Sequence, residues 1–184
     1  MKLSIVMPVY NEGKVIGQTI KRVESSVEVP HELLIVYDMD EDTTIGPVKK
    51  LQKKYPNVRL VKNIRGRGAL NALKTGISKA QSETVCVMMA DLTDDPKVLN
   101  KMMEKFREGF DVVAASRYMK GGHQIGGPFL KQILSRVAGI SLHYLVGLPT
   151  RDATNSFRLY SKKFLEKVEI ESDGGFELAI ELTV

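Results

Sequence analysis

The feature that most constrains this fold is a repeated alternation of short, uninterrupted apolar runs with longer segments of helical periodicity. Apolar runs without polar alternation are typical of parallel strands that are buried on both faces. Helices that alternate with such strands cover the two faces of the sheet. The sequence therefore predicts a Rossmann-like, three-layer α/β/α fold with a mainly parallel central sheet. The predicted strands are Leu3–Met7, Leu33–Tyr37, Val58–Lys62, Thr84–Met89 and Val112–Ser116, and the predicted helices are Lys14–Ser25, Ile45–Lys54, Ala69–Ala80 and Pro96–Glu108.

The pattern changes after Ser116. Gly121–Pro128 is a glycine-rich loop, Phe129–Val146 predicts an apolar helix, and Asp152–Tyr160 predicts a returning strand. The final segment, Phe176–Val184, has helical periodicity and no stop signal. We therefore expect residues 1–184 to form one domain that is truncated at its C-terminus.

Composition constrains the domain size, the charge of the partner and the compartment of the protein. A chain of 184 residues with 43% hydrophobic content can form one domain with a substantial core, and a net charge of +5 favours an anionic partner. Scattered positive charge and an aromatic content of 7% argue against nucleic acid as that partner. The single cysteine, Cys86, lies in an apolar run and predicts an inert core thiol in a reducing compartment. Without a signal peptide or an apolar span of ~20 residues, we expect a cytoplasmic protein, and nothing indicates its oligomeric state.

Three carboxylates follow the fourth predicted strand. In open α/β sheets the ligand crevice lies beyond the carboxyl ends of the strands, so acids placed there can hold a divalent cation against a diphosphate. Asp91 is the first candidate for this role. Asp95 precedes Pro96, which is typical of a helix N-cap.

The first strand is followed by a segment without a recognised phosphate-binding motif. Neither the glycine fingerprint of dinucleotide-binding proteins nor a P-loop occurs in the chain. Pro8 fixes a turn, Tyr10 offers a ring for stacking on a base, and Asn11 and Glu12 offer ribose or base contacts. The alternative is a capped loop that opens the first helix, and the residues alone leave both interpretations open.

The second strand is followed by acids at a spacing of two, as at the start of a calcium loop. An EF-hand beginning at Asp38 would need Gly at Thr43 and Glu at Lys49, which this chain lacks. Asp38 can instead accept hydrogen bonds from a nucleobase or ribose. Asp42 or Thr43 then predicts the cap of the next helix.

The third strand is followed by two glycines flanked by arginines. Gly66 and Gly68 alternate with Arg65 and Arg67 before a helix N-terminus. Exposed backbone N–H groups and guanidinium charge suit an anion, although such turns are common.

Five segments occur in the order seen in family 2 glycosyltransferases of GT-A fold. These segments are Pro8–Glu12, Asp38, Gly66–Ala69, Ala90–Leu92 and Ser116–Tyr118. The resemblance covers nearly the whole chain. Asn155–Arg158 also resembles the Ser-Gly-Phe-Arg segment of dolichyl- and polyprenyl-phosphate sugar transferases of the mannose synthase type.

The resemblance implies a nucleotide site and a site for Mg²⁺ or Mn²⁺. Where the family usually has Asp-Ala-Asp-Leu-Gln, this chain has Met89 in place of the first acid and Thr93 in place of the amide. The implied metal ligands are Asp91 and Thr93, and we expect Asp94 to compensate for the missing acid. The implied nucleotide-binding residues are Pro8, Tyr10, Asn11, Glu12, Asp38, Gly68, Ala90 and Asp91.

The resemblance also implies an acceptor site. Arg117, Lys131 and Ser135 are expected to bind the acceptor phosphate, with Lys131 standing where relatives have Arg. Asp91, Arg117 and Lys131 are the expected catalytic residues. The alternative for Lys131 is the solvated face of an amphipathic helix.

The implied reaction is transfer of a hexose from a nucleoside diphosphate sugar, GDP-mannose or a UDP-sugar, to dolichyl or polyprenyl phosphate. It would be metal-dependent and inverting, and it would take place at a membrane surface, with the protein peripheral to the cytoplasmic face. One alternative is a sugar hydroxyl acceptor, which needs a base such as Asp152 or Glu177. Another is a non-catalytic nucleotide-sugar-binding module. A sugar-nucleotide pyrophosphorylase is disfavoured because its glycine-rich loop is missing, and a processive polysaccharide synthase because the chain has no Trp.

Overall fold

The structure is a computed structural model. It describes residues 2–119, 122, 137, 139–141, 143–145, 147, 150, 152, 155–168, 179 and 181–182.

A mixed sheet of six strands forms the centre of the described part. Its strand order is β3-β2-β1-β4-β6-β5, and all neighbouring strands are parallel except β6, which runs antiparallel to β4 and β5. The strands are β1 (Leu3–Val9), β2 (His31–Tyr37), β3 (Val58–Lys62), β4 (Thr84–Val87), β5 (Val112–Ala114) and β6 (Arg158–Ser161). The helices are α1 (Ile16–Ser26), α2 (Ile45–Gln52), α3 (Ala69–Lys79), α4 (Val98–Arg107) and α5 (Lys162–Leu165).

Helices cover both faces of this sheet, as the sequence predicts. The fully buried strand β1 sends alternate side chains into two cores, such as Ile5 on one face and Val6 on the other. Buried residues of α1, α2 and α4 line the first core, and those of α3 and α5 line the second. The three-layer α/β/α prediction is therefore confirmed.

The returning strand differs from its predicted range, Asp152–Tyr160. The structure has a strand over Arg158–Ser161, and the described residues before it, 152 and 155–157, are not in a strand. Asn155 explains the difference because its side chain donates to the Ala115 carbonyl and accepts from the Phe157 backbone N–H. Hydrogen bonds of this local kind compete with regular strand pairing.

Parts of the C-terminal predictions lie outside the described residues. Within Phe129–Val146, residues 137, 139–141 and 143–145 are helical, and within Phe176–Val184, residues 179 and 181 are helical. Gly122 is the part of Gly121–Pro128 that the structure describes. Across the described part of the chain, no helix combines the length and the apolar character that a bilayer crossing needs.

Gly76 marks a close approach of α3 to the sheet. A Cβ built at this position would lie 2.3 Å from Cγ1 of Val6 and 3.0 Å from Cγ2 of Val36. Both neighbours are fully buried β-branched side chains, so they have little room to move.

Gly76→Ala is therefore expected to destabilise the protein. Alanine gains about 1 kcal/mol of helix propensity over glycine, but overpacking a core costs typically 1–3 kcal/mol, and a contact at 2.3 Å favours the upper part of that range. Urea denaturation followed by circular dichroism would measure the loss. Gly46→Ala in α2 is the matched control because a Cβ there meets nothing within 4 Å. Equal stability changes in the two variants would contradict the packing explanation.

Glu32 lies where the parallel strands begin, and its carboxylate connects neighbouring segments there. Its carboxylate accepts hydrogen bonds from the Ser4 hydroxyl, the Gln81 backbone N–H and the Arg59 guanidinium. Burial raises the pKa of Glu32, but these donors together outweigh burial and hold the pKa below its usual value.

Glu32→Gln is expected to weaken the fold in a pH-dependent way. A carboxyl group whose pKa falls on folding contributes stability above its unfolded pKa of 4.5 and loses that contribution as the pH falls through the folded value. We expect the variant to lose roughly 1–2 kcal/mol at pH 7, with the difference from wild type shrinking below pH 4.5. Urea titrations at pH 7 and pH 3.5 would measure both differences, and a gap that does not change with pH would contradict the assignment.

Candidate active site

The candidate site lies along the edge where β1, β2, β3 and β4 end. In an open α/β sheet this edge is where ligands bind. Because β6 runs antiparallel, the residues that precede it, including Asp152 and Asn155, reach the same edge. The loops after four strands and before a fifth therefore share one side of the molecule.

The loop after β4 presents its acids in different ways. Asp91 is exposed, and its Oδ1 accepts hydrogen bonds from the Thr93 hydroxyl (2.6 Å) and the Thr93 backbone N–H (3.1 Å). Asp94 is turned inward, where its Oδ2 accepts from the Met89 backbone N–H (3.1 Å). Asp95 accepts from the Lys97 N–H in the turn ahead of α4. The predicted N-cap is displaced by two residues, because α4 begins at Val98 and its N-cap, Lys97, makes no side-chain capping hydrogen bond. The sequence thus brings Asp91, Thr93 and Asp94 into one loop, as predicted.

The inward position of Asp94 changes the pKa of its carboxyl group. Burial, together with the nearby Asp91 carboxylate, raises this pKa to about 6, although the Met89 N–H and the Arg117 guanidinium pull it down. A bound cation would favour the ionised carboxylate in such a place. Carboxylate and hydroxyl oxygens are ligands that Mg²⁺ and Mn²⁺ prefer.

The oxygens of Asp91, Thr93 and Asp94 therefore fit part of the coordination sphere of a divalent cation. In the described ranges, no three acidic, histidine or cysteine side chains converge into a complete metal-binding group. Oxygens from the ligand and from water would have to complete the coordination sphere. Mg²⁺ in particular commonly combines one or two carboxylates with phosphate oxygens.

Arg117 approaches the same edge after β5, where it is paired with Asp152. Its Nε and Nη2 donate to the two oxygens of Asp152 at 3.0 and 2.6 Å, and its backbone N–H adds a third bond at 2.8 Å. Asp152 is only 1% exposed, so the pairing is strong, and its hydrogen bonds raise the pKa of Arg117. Asp152 therefore orients Arg117. Lys131 and Ser135, the other predicted acceptor residues, lie outside the described residues, as does Glu177.

Arg158 is fully buried directly behind this ion pair. It donates to the carbonyl oxygens of Asn155, Asp152 and Ala179, so it connects β6, the Asp152 segment and the C-terminal helical residues. Burial lowers the pKa of Arg158, and burial also raises the pKa of its neighbour Tyr160 to about 12. The sequence indicates Arg158 only through the family resemblance.

The loop after β1 is held by the loop after β2. The Asp42 carboxylate accepts from the Asn11 N–H, and the Asn11 side chain accepts from the Thr43 N–H, while Asn11 itself adopts φ 56°. Tyr10 is 63% exposed, so its ring is accessible for stacking. The Glu12 carbonyl accepts from the Val15 and Ile16 N–H groups, and Val15, the N-cap of α1, makes no side-chain capping hydrogen bond. Asp42 also accepts from the Thr44 N–H just before α2, but Thr44 is the N-cap position and makes no side-chain capping hydrogen bond.

Asp38 orients the entry to α3. Its two oxygens accept from the Asn63 amide (2.7 Å) and from the Gly68 backbone N–H (2.8 Å). Gly68 adopts φ 122°, a conformation that favours glycine. The Asn63 side chain also accepts from the Thr75 hydroxyl, which extends the network into α3. Asn63 is not among the predicted site residues; the sequence signal that could have identified it is a polar amide directly after the end of β3.

These observations define an α/β protein of GT-A type with an acidic loop and a paired arginine on one edge. Residues 4–169 match the family described as Glycosyl transferase family 2, and the chain belongs to that family. Along its whole length it is 29% identical to a dolichol-phosphate mannosyltransferase of Pyrococcus furiosus, covering 53% of that protein. Over 92% of its length it is 32% identical to an uncharacterized glycosyltransferase of Bacillus subtilis, covering 52% of that protein. The chain thus spans about half the length of these curated relatives.

A solved structure shares the fold. The chain resembles glucosyl-3-phosphoglycerate synthase from Mycobacterium tuberculosis in complex with Mn²⁺, UDP and glucosyl-3-phosphoglycerate, with a TM-score of 0.72 and 18% identity. The match covers 98% of this chain and 63% of the synthase chain. The GT-A fold that the sequence predicts is therefore confirmed.

Proposed function

We propose that this chain is the catalytic part of a glycosyltransferase that moves a hexose from a nucleoside diphosphate sugar to dolichyl or polyprenyl phosphate. Similarity along its whole length to a dolichol-phosphate mannosyltransferase supports this acceptor. The structural observation that carries the proposal is that the acidic loop after β4 and the Arg117–Asp152 pair lie on the same edge of the sheet. The donor diphosphate and the acceptor phosphate are both anions, so both need positive charge. A cation held by the acidic loop would supply it to the donor, and Arg117 would supply it to the acceptor.

On the donor side, Asp91, Thr93 and Asp94 would hold Mg²⁺ or Mn²⁺. When bound, such a cation stabilises the charge that develops on the leaving diphosphate. Tyr10 would stack on the base, and Asp38 would hold the nucleoside. The remaining proposed nucleotide contacts are Pro8, Asn11, Glu12, Gly68 and Ala90.

On the acceptor side, Arg117 would bind the acceptor phosphate together with Lys131 and Ser135. A phosphate monoester is already ionised near neutral pH, so as nucleophile it needs positioning and charge neutralisation more than it needs a general base. Asp152 holds the guanidinium in place before the acceptor arrives, which lowers the cost of ordering it. Attack opposite to the leaving diphosphate inverts the anomeric carbon. Such an acceptor would place the reaction at a membrane surface.

The test measures transfer of radiolabelled hexose from GDP-mannose and UDP-glucose to a short polyprenyl phosphate. The matched acceptor is the corresponding polyprenol, which lacks the phosphate, and soluble glycans form the third arm. We expect product only with the phosphate, only with Mg²⁺ or Mn²⁺ present, and none in EDTA. Transfer to glycans alone would reject the polyprenyl phosphate acceptor, and nucleotide binding without transfer to any acceptor would favour a non-catalytic module.

A further inference from the structure

Two side chains of α1 hold the acidic loop from behind. The Thr19 hydroxyl, which is buried, donates to the Ala90 carbonyl at 2.7 Å. The Arg22 guanidinium donates to the Leu92 carbonyl at 3.1 Å. These carbonyls lie on either side of Asp91. Because Thr19 and Arg22 are three residues apart, they share one face of the helix.

The loop between these two anchors has a backbone conformation that needs support. Leu92 adopts φ 66°, in the left-handed region that a leucine rarely occupies. Such a conformation is strained and persists only when the surroundings determine it. The hydrogen bonds from α1 and the bonds from Thr93 to Asp91 hold the backbone on both sides of Leu92 in this conformation.

We propose that Thr19 and Arg22 are positioning residues that fix the direction of the Asp91 carboxylate. This inference rests on the proposed function for its consequence, which is cation-dependent binding of the donor. Neither residue is expected to contact the ligand, because each acts through a backbone carbonyl. Partners of this kind typically change metal affinity 10- to 100-fold when they are removed.

The variants separate positioning from general stability. Thr19→Val keeps the shape and removes the hydroxyl, Thr19→Ser keeps the hydroxyl, and Arg22→Met keeps the apolar stem. The matched control for Thr19→Val is Thr84→Val, because Thr84 is fully buried in β4 and its hydroxyl has no hydrogen-bond partner among the described residues. Arg107→Met, on the exposed side of α4, is the control for Arg22→Met.

Two measurements then decide. Hydrogen exchange of residues 89–95 without ligand should be several-fold faster in Thr19→Val and Arg22→Met, and unchanged in Thr19→Ser and both controls. Calorimetric titration with Mn²⁺ and GDP or UDP should show about tenfold weaker binding in the same two variants.

Exchange at the wild-type rate in Thr19→Val and Arg22→Met would overturn the inference, since the loop would then not depend on α1. Faster exchange with unchanged Mn²⁺–nucleotide affinity would overturn it as well, because α1 would then stabilise the loop without affecting how Asp91 binds the cation. Failure of the wild-type protein to bind either nucleotide with Mn²⁺ would instead overturn the proposed function, while the exchange result would still decide whether α1 holds the loop.

Discussion

Arg158→Met is expected to destabilise the protein by about 3 kcal/mol or more, the largest loss among the substitutions considered. The guanidinium is fully buried and serves the carbonyl oxygens of Asn155, Asp152 and Ala179. Each buried acceptor left without a donor costs about 1–3 kcal/mol. Methionine regains part of this free energy, because it carries no charge to bury. The cost of burying the charge of Arg158 is reflected in the lowered pKa of its guanidinium. The loss of these three hydrogen bonds should outweigh that gain.

Circular dichroism in urea is the appropriate measurement, since the chain has no Trp for fluorescence. Arg107→Met makes the same chemical change at an exposed position of α4 and should alter stability by less than about 0.5 kcal/mol. A loss of similar size in both variants would show that the buried contacts of Arg158 are not what stabilises the fold.

Asp91→Asn is expected to abolish most of the transfer activity while leaving the fold intact. On the proposed function, the exposed carboxylate holds the cation at the donor diphosphate, and an amide is a much poorer ligand for Mg²⁺ or Mn²⁺. Removing one such electrostatic contribution typically costs on the order of 10²–10³-fold in rate. Stability should not fall, because asparagine can still accept the Thr93 hydrogen bonds and the repulsion between Asp91 and Asp94 disappears.

Radiolabelled sugar transfer and thermal unfolding, measured on the same preparation, would test both parts of this expectation. Asp95→Asn removes one carboxylate from the same loop. It should retain nearly all activity, because the bond that Asp95 accepts comes from the Lys97 N–H ahead of α4 and asparagine can still accept it. Wild-type activity in Asp91→Asn would refute the metal assignment, and equal losses in both variants would point to loop charge in general.

The parts of this fold that depend on local pattern could be predicted from the sequence. Buried strands such as β1 have uninterrupted apolar runs, and the turn ahead of α4 carries its own hydrogen-bond acceptor in Asp95. The position of β6 could not be predicted, because its insertion between β4 and β5 depends on pairing with residues far away in the chain. The non-strand conformation of residues 155–157 follows from the hydrogen bonds of the Asn155 side chain, and one of these goes to the distant Ala115 carbonyl.

The candidate site divides in the same way. Residues that follow strands, such as Asp38 and Asp91, could be located because parallel strands end on one edge. The roles of Thr19 and Arg22 could not be predicted, because their hydrogen-bond partners are set by how α1 packs against the rest of the protein. The pairing of Arg117 with Asp152 depends likewise on the antiparallel return of the chain.

The place of β6 in the sheet also sets an order of assembly. During synthesis, β1 to β4 can pair with one another as they emerge. Among the described strands, β5 is hydrogen-bonded to β6 alone, and β6 is made much later. Until then β5 is an unpaired edge, the kind of strand that attracts misplaced pairing. The acidic loop and its arginine thus belong to parts of the chain that meet at different times. They come together as a single site only when β6 has inserted between β4 and β5.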